Sequence, residues 1–242
     1  MSRYWNTSDN YSQISVTELR RKASETTKKA AAKGQAMAPV IVSGRQITKS
    51  WWGTAWCKNL EQYADYGSRL ERGKRYIRSG ALVDLKIQGG KILARVQGTR
   101  KTPYKVEIHI SPLSEERCQN IIHKCSQKIE NLEALVSGNF PDDLKELFLS
   151  EGGLFPSPRE ISFQCSCPDW ALLCKHVAVA LYGVGVRVDE NPFLFFALRG
   201  INIDRFIDVT LSSKTEQMLE NAKQPSSRII EDADITGLFG IL

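Results

Sequence analysis

Cys165-Ser166-Cys167-Pro168-Asp169-Trp170-Ala171-Leu172-Leu173-Cys174-Lys175-His176 gathers three of the six cysteines and one of the three histidines of a 242-residue chain into twelve positions. Two thiols stand one residue apart; a short loop follows, then a thiol and an imidazole one residue apart. Such a set suits a closed tetrahedral metal site, because zinc accepts thiolate and imidazole together. Residues two apart on an α-helix point about 200° apart. Cys174 is therefore expected just before a helix, with His176 in its first turn. Residues 175–182 are apolar and helix-compatible, and Gly183 and Gly185 offer a stop. Upstream, Ile161 and Phe163 alternate with Ser162 and Gln164, which reads as a short strand. Pro168 favours a turn between them. The expected unit is strand, turn and helix wrapped around Zn2+.

Other chemistries fit less well. Buried free cysteines are common, but four ligand-type residues at paired spacing exceed what a core needs. An iron–sulfur cluster is possible with such ligands but less favoured. A redox dithiol ordinarily uses Cys-x-x-Cys, a spacing this run lacks. Four protein ligands leave no open position for water, so a catalytic zinc is not expected. No Lys-Ser/Thr phosphate loop, metalloprotease pair or ordered triad stands elsewhere. The chain is read as a binding protein, not an enzyme, with no small-molecule substrate.

The pattern Cys-x-Cys, six residues, Cys-x-His resembles the SWIM zinc finger. Carried over position by position, the ligands are Cys165, Cys167, Cys174 and His176. Trp51-Trp-Gly-Thr-Ala-Trp56, Arg78-Ser-Gly-Ala-Leu-Val-Asp84 and Val96-Gln-Gly-Thr-Arg100 are weaker points of resemblance to bacterial SWIM-finger proteins. The resemblance implies binding of DNA or protein, in bacteria beside a Swi/Snf-type helicase-like ATPase.

Charge is uneven. The net value is only +6, but Arg69 to Lys105 holds eleven basic residues against Glu71 and Asp84. Such clustering is the electrostatic footprint of a polyanion partner, DNA more than RNA. The candidate contacts are Arg69, Arg72, Lys74, Arg75, Arg78, Arg100, Lys101 and Lys175. Trp170 and Arg187 are further candidates. The loop Gln97-Gly-Thr-Arg-Lys-Thr-Pro103 offers amides, hydroxyls and two cations to a phosphate. The rival readings are a protein-only adaptor, using the finger and the apolar tail Ile235–Leu242, and an RNA-binding subunit. Residues 1–11 lack a secretory core, and no stretch is long and apolar enough for a bilayer. A cytoplasmic protein with reduced thiols and no membrane association is expected.

The fold class expected is α+β: a small antiparallel sheet packed with helices, the finger, and a helical C-terminal tail. Four segments are drawn, namely a flexible basic arm and helix over 1–46, an α+β domain over 47–156, the finger over 157–190 and the tail over 191–242. Within the first, Thr17 to Lys33 reads as a thin-faced basic helix, capped by Thr17, that folds against a partner or a nucleic acid, or else stays a solvated helix or a disordered segment. Val40 to Val42 reads as a strand. Ser50 caps a helix carrying Trp52, Trp56, Leu60 and Tyr63 on one stripe, which assigns the tryptophans to the core rather than to base stacking. Arg69 to Arg78 reads as a loop. Ala81 to Gln88, Lys91 to Gln97 and Tyr104 to Ile110 form a three-stranded meander turning at Gly89-Gly90. Pro112 to Val136 is a helix whose Cys118 and Cys125 lie on its apolar stripe, away from His123. Short helices follow from Pro141, from Asn191-Pro192, over Ile203–Leu211 and over Glu216–Ala222.

Overall fold

The computed structural model describes residues 14–63, 67–128, 134, 138–139 and 141–223. Residues 1–13, 64–66, 129–133, 135–137, 140 and 224–242 lie outside the described residues, and with them most of the flexible arm, Ile129, Leu132 and Val136 of the expected long helix, and the apolar tail. The Tyr63 side chain lies outside them too. The fold is α+β, with helices packed on one four-stranded antiparallel sheet.

The sheet runs in chain order: β1 (Leu82–Gln88), β2 (Lys91–Val96), β3 (Tyr104–Ile110) and β4 (Ile161–Cys165). The first three are the expected meander, and Gly89 takes a φ of +53° in the Gly89-Gly90 turn, a conformation open to glycine. The finger's strand is the fourth member, with Val106 opposite Cys165 and Ile108 opposite Phe163. On β2 and β3 alternate residues are buried, Ile92, Ala94 and Val96 beside Val106, Ile108 and Ile110. A register shift between Leu82 and Asp84 breaks the alternation on β1, where Val83, Asp84 and Leu85 are all buried.

The finger's helix, α6 (Lys175–Glu190), lies at the centre of the core. It passes straight through Gly183 and Gly185, where a stop was expected. Both glycines answer a packing need. A Cβ on Gly183 would lie 2.2 Å from Leu82 Cδ2, and one on Gly185 would meet Thr48, Trp56 and Cys57 at 3.1–3.2 Å. The missing Cβ lets the helix sit against β1 on one side and against α2 (Trp51–Leu60) on the other. Ser50 caps α2 by accepting from the Gly53 amide at 3.1 Å. Trp52 and Trp56 are fully buried, as their stripe requires, and Trp56 Nε1 donates to the Leu181 carbonyl at 2.7 Å. Around them Phe148, Phe155, Phe195 and Phe196 complete an aromatic cluster with ring centroids 4.5–6.1 Å apart.

Arg69 to Arg78 is not a loop but most of a helix, α3 (Gly67–Arg78). Leu70, Gly73, Tyr76 and Ile77 form its buried face. Gly73 is a close-approach position, since a Cβ there would lie 2.7 Å from that of Ala178 on α6.

The N-terminal helix, α1 (Val16–Ala32), is capped by Ser15, whose Oγ accepts from the Glu18 amide at 3.1 Å; Thr17 lies inside it. It needs no external partner, because it rests on its own domain. Leu19, Ala23 and Ala30 are buried, and Lys22 Nζ donates to the Thr99 carbonyl at 2.7 Å. The strand expected at Val40–Val42 is instead an extended run alongside β1, in which the Val40 amide donates to Leu82 O and the Leu85 amide to Ala38 O. That run covers an edge that would otherwise invite pairing.

Among the described residues the remaining helices are α4 (Glu115–Lys128), α5 (Asp142–Leu149), α7 (Phe193–Leu198) and α8 (Ile203–Lys223). Cys118 and Cys125 are buried on α4, with His123 exposed, so they are core residues. α8 is continuous where two short helices were expected. Arg199, 1% exposed, closes α7 by donating to Ser111 O and pairing with the Glu160 carboxylate at 2.5 Å. No helix among the described residues is long and apolar enough to cross a membrane.

Candidate metal centre

Cys165 ends β4 and Cys167 lies two residues beyond, where Pro168 begins the knuckle. Cys174 is the residue immediately before α6, and His176 stands in the first turn, as the bend between them demands. The four donor atoms all lie within 4.8 Å of one another. His176 Nδ1 is 3.9 Å from Cys165 Sγ and 4.0 Å from Cys174 Sγ. Zinc–sulfur and zinc–nitrogen bonds of ordinary length set tetrahedral edges of about 3.6–3.8 Å. The cluster is thus a Cys3His arrangement able to hold a metal ion, slightly open relative to that ideal.

The electrostatics favour a ligand set. A hydrogen bond from Cys165 holds Cys174 as a thiolate against the cost of burial, and His176 and the Val177 amide add to this; its pKa is pushed down to about 4. A helix N-terminus has the same effect on thiols generally. The same pairing raises the Cys165 thiol, and burial raises Cys167. Burial also lowers His176, which keeps the imidazole neutral as a metal requires.

The imidazole is built into the fold on its far side. Tyr104 stacks on it at 4.1 Å and Tyr76 meets it edge-on at 6.0 Å. Arg100 lies over Tyr104 at 5.1 Å and Arg75 over Tyr76 at 5.9 Å. Gly98 presses its backbone against the same ring, where a Cβ would stand 3.3 Å from His176 Nε2. Gln97 anchors this turn: its amide donates to Ala81 O, its side-chain nitrogen to Arg100 O, and Thr26 of α1 donates to its carbonyl oxygen.

The knuckle is fixed from within. Asp169 accepts from the Ala171 amide at 3.2 Å and pairs with Arg69 at 2.9 Å. Burial alone would raise its carboxyl; the Arg69 hydrogen bond and that amide hold it below its ordinary value. Arg69 also lies over the Trp170 ring at 5.5 Å. Ala171 and Leu173 point inward, while Trp170 is 78% and Leu172 74% exposed.

The eight basic residues singled out in the sequence fall into two groups. Arg72, Arg100 and Lys101 are exposed, and Lys175 is half-buried between two cluster residues. Arg69 is committed to Asp169, Lys74 to Glu71, Arg78 to the Arg45 carbonyl, and Arg75 lies on Tyr76. Four residues that shape the centre escaped the sequence reading: Tyr76, Gly98, Tyr104 and Asp169. Only Asp169 carried a usable signal, as an acid inside a basic chain's ligand loop.

No family model matches the chain, and no solved structure matches it. The chain is similar to an uncharacterized protein, Rv2102, of Mycobacterium tuberculosis, at 35% identity over 156 residues, 64% of this chain and 56% of that protein. It thus spans little more than half of that relative's length.

Proposed function

We propose that the chain is a zinc-finger protein that binds nucleic acid, DNA in preference to RNA, as a non-catalytic cytoplasmic partner of a Swi/Snf-type helicase-like ATPase. The ATPase and the SWIM assignment rest on the motif resemblance alone. Zinc is favoured by the donor set, three thiols and one imidazole within 4.8 Å of one another. Bound there, the metal would supply structural cross-linking of β4 to α6, with no open coordination position.

The observation that carries the nucleic-acid reading is the assembly around His176. The run Arg75, Tyr76, His176, Tyr104, Arg100 joins the arginine-rich helix α3 to the basic loop 97–103 through the candidate metal ligand. Both basic elements named from the sequence are therefore held by one centre, with Arg72, Arg100 and Lys101 facing solvent. Exposed arginines and lysines fixed on a rigid frame suit phosphate contact.

The test has two parts. Elemental analysis should find about one zinc per chain, lost in Cys174→Ser. Duplex DNA binding should weaken steeply as salt rises, and Arg100→Ala with Lys101→Ala should weaken it without unfolding. Wild-type protein that holds zinc but ignores DNA at low salt would favour the protein-only adaptor. One observation already supports that second reading, since Trp170 and Leu172 project from a braced knuckle and offer a partner an apolar contact.

A further inference from the structure

The helices cover one face of the sheet; on the other, Lys86, Arg95, Lys105 and Gln164 are exposed. The register lays its outward side chains in cross-strand rows. Lys86 stands opposite Leu93, Leu93 opposite Glu107, and Glu107 opposite Gln164. In the next row Asp84 stands opposite Arg95 and Arg95 opposite Lys105. Ser166 continues that row, since it accepts from the Lys105 amide at 2.9 Å and donates its own amide to Lys105 O at 3.0 Å. A groove of about 730 Å³ runs over these rows and reaches Cys165 at the metal centre.

The two carboxylates in the groove are already engaged. Asp84 accepts from the Ala38 amide at 2.9 Å and faces Arg95 at 3.8 Å. Glu107 takes Lys91 at 2.6 Å and His109 at 2.8 Å. Lys86 and Lys105 have no ion-pair partner among the described residues. Their positive charge is unspent, and it sits beside a side-chain amide (Gln164) and a hydroxyl that still has its proton to donate (Ser166). Leu93, 37% exposed, is the one large apolar contact in the middle.

We propose that this groove binds single-stranded nucleic acid. Lys86 and Lys105 contact backbone phosphates, Gln164 and Ser166 donate to the same backbone, and Leu93 supports a base or sugar. Neighbouring strands stand about 4.8 Å apart, so Lys86 on β1 and Lys105 on β3 mark a path across the sheet, not along one strand. That path delivers the nucleic acid to the finger. Sequence-tolerant single-strand binders track the backbone with a positively charged groove and add base stacking on side chains, a place that Leu93 alone fills here. The proposal rests on the nucleic-acid reading but uses none of the residues on which that reading was built.

The experiment is fluorescence anisotropy of a labelled thirty-nucleotide oligothymidylate with the full, zinc-loaded chain across a salt series. The variants are Lys86→Gln with Lys105→Gln, and separately Gln164→Glu, which adds a charge at an exposed position without changing shape. Melting curves verify folding. Binding should fall at least tenfold in the double variant, with the slope of log K against log salt shallower by about 1.4 for two lost phosphate contacts. Gln164→Glu should weaken binding in the same direction. Wild-type affinity and slope in both variants would overturn the groove while leaving the nucleic-acid reading intact, provided Arg100→Ala/Lys101→Ala still weakens duplex binding. A wild-type chain that binds neither oligothymidylate nor duplex at low salt would overturn both. Duplex DNA that displaces the oligonucleotide as well as a single strand does would overturn the single-strand assignment.

Discussion

Gly98→Ala tests whether the basic loop and the metal centre are one unit. Gly98 is not among the glycines with positive φ, so its backbone is open to alanine and the cost is steric. The new Cβ would lie 2.6 Å from Tyr104 Cε2, about 0.8 Å short of ordinary contact at 3.4 Å, and 3.3 Å from His176 Nε2. Tyr104 cannot give way toward the imidazole, on which it already stacks at 4.1 Å, and it is only 6% exposed. The loop must lift instead, which strains the Gln97 anchors to Ala81 and Thr26. Overpacking of this kind costs about 1–3 kcal/mol. Alanine restricts the unfolded chain and returns about 0.4–1 kcal/mol. Strain wins, and a net loss of about 1–2 kcal/mol is expected.

Displacing the support of a ligand also weakens metal binding, by about 10–100-fold where such supports have been removed. The assay is zinc titration against a chromophoric chelator, with melting of the zinc-loaded protein. Gly67→Ala is the control, since a Cβ there meets nothing within 4 Å. Gly98→Ala with the zinc affinity and melting temperature of Gly67→Ala would refute the claim that the loop braces His176.

Two further outcomes follow from buried or braced charges. Glu160→Gln removes the carboxylate facing the buried guanidinium of Arg199, which keeps its bond to Ser111 O; because Glu160 is partly exposed, a loss of about 2 kcal/mol by denaturant unfolding is expected, below the full cost of breaking a buried pair. Burial would raise the Glu160 carboxyl, but the Arg199 and Ser157 hydrogen bonds outweigh it and hold the pKa below the ordinary 4.5. Its stabilisation is therefore present above that value and drains as pH falls through the folded pKa; the acid limb of the wild-type melting profile should flatten in Glu160→Gln, and an unchanged limb would sink the assignment. Asp169→Asn weakens the tie between the knuckle and Arg69. For this half-buried pair the cost is about 1–2 kcal/mol, between that of an exposed and of a buried pair, read more sharply as altered iodide quenching of Trp170 than as a melting shift.

The ligand spacing and the alternation of β2 and β3 were legible because each is local: a donor every second residue, an apolar residue every second residue. What escaped was set by distant partners. Gly183 and Gly185 look like a helix stop, and Gly73 looks like part of a loop, when only neighbours in sequence are considered. Each is instead a point where α6 touches Leu82, Trp56 or α3 too closely for a side chain. A glycine's role depends on what lies across from it, and a single chain read alone does not say. The same holds for charge. Lys86 and Lys105 drew less notice than the cluster of arginines on α3, yet two of those arginines are committed to Asp169 or the Arg45 carbonyl. Counting cations finds the basic region; only the partners of each cation decide which of them have charge left for a ligand. The charge left for a ligand therefore lies at Arg72, on the loop at Arg100 and Lys101, and on the open face of the sheet at Lys86 and Lys105.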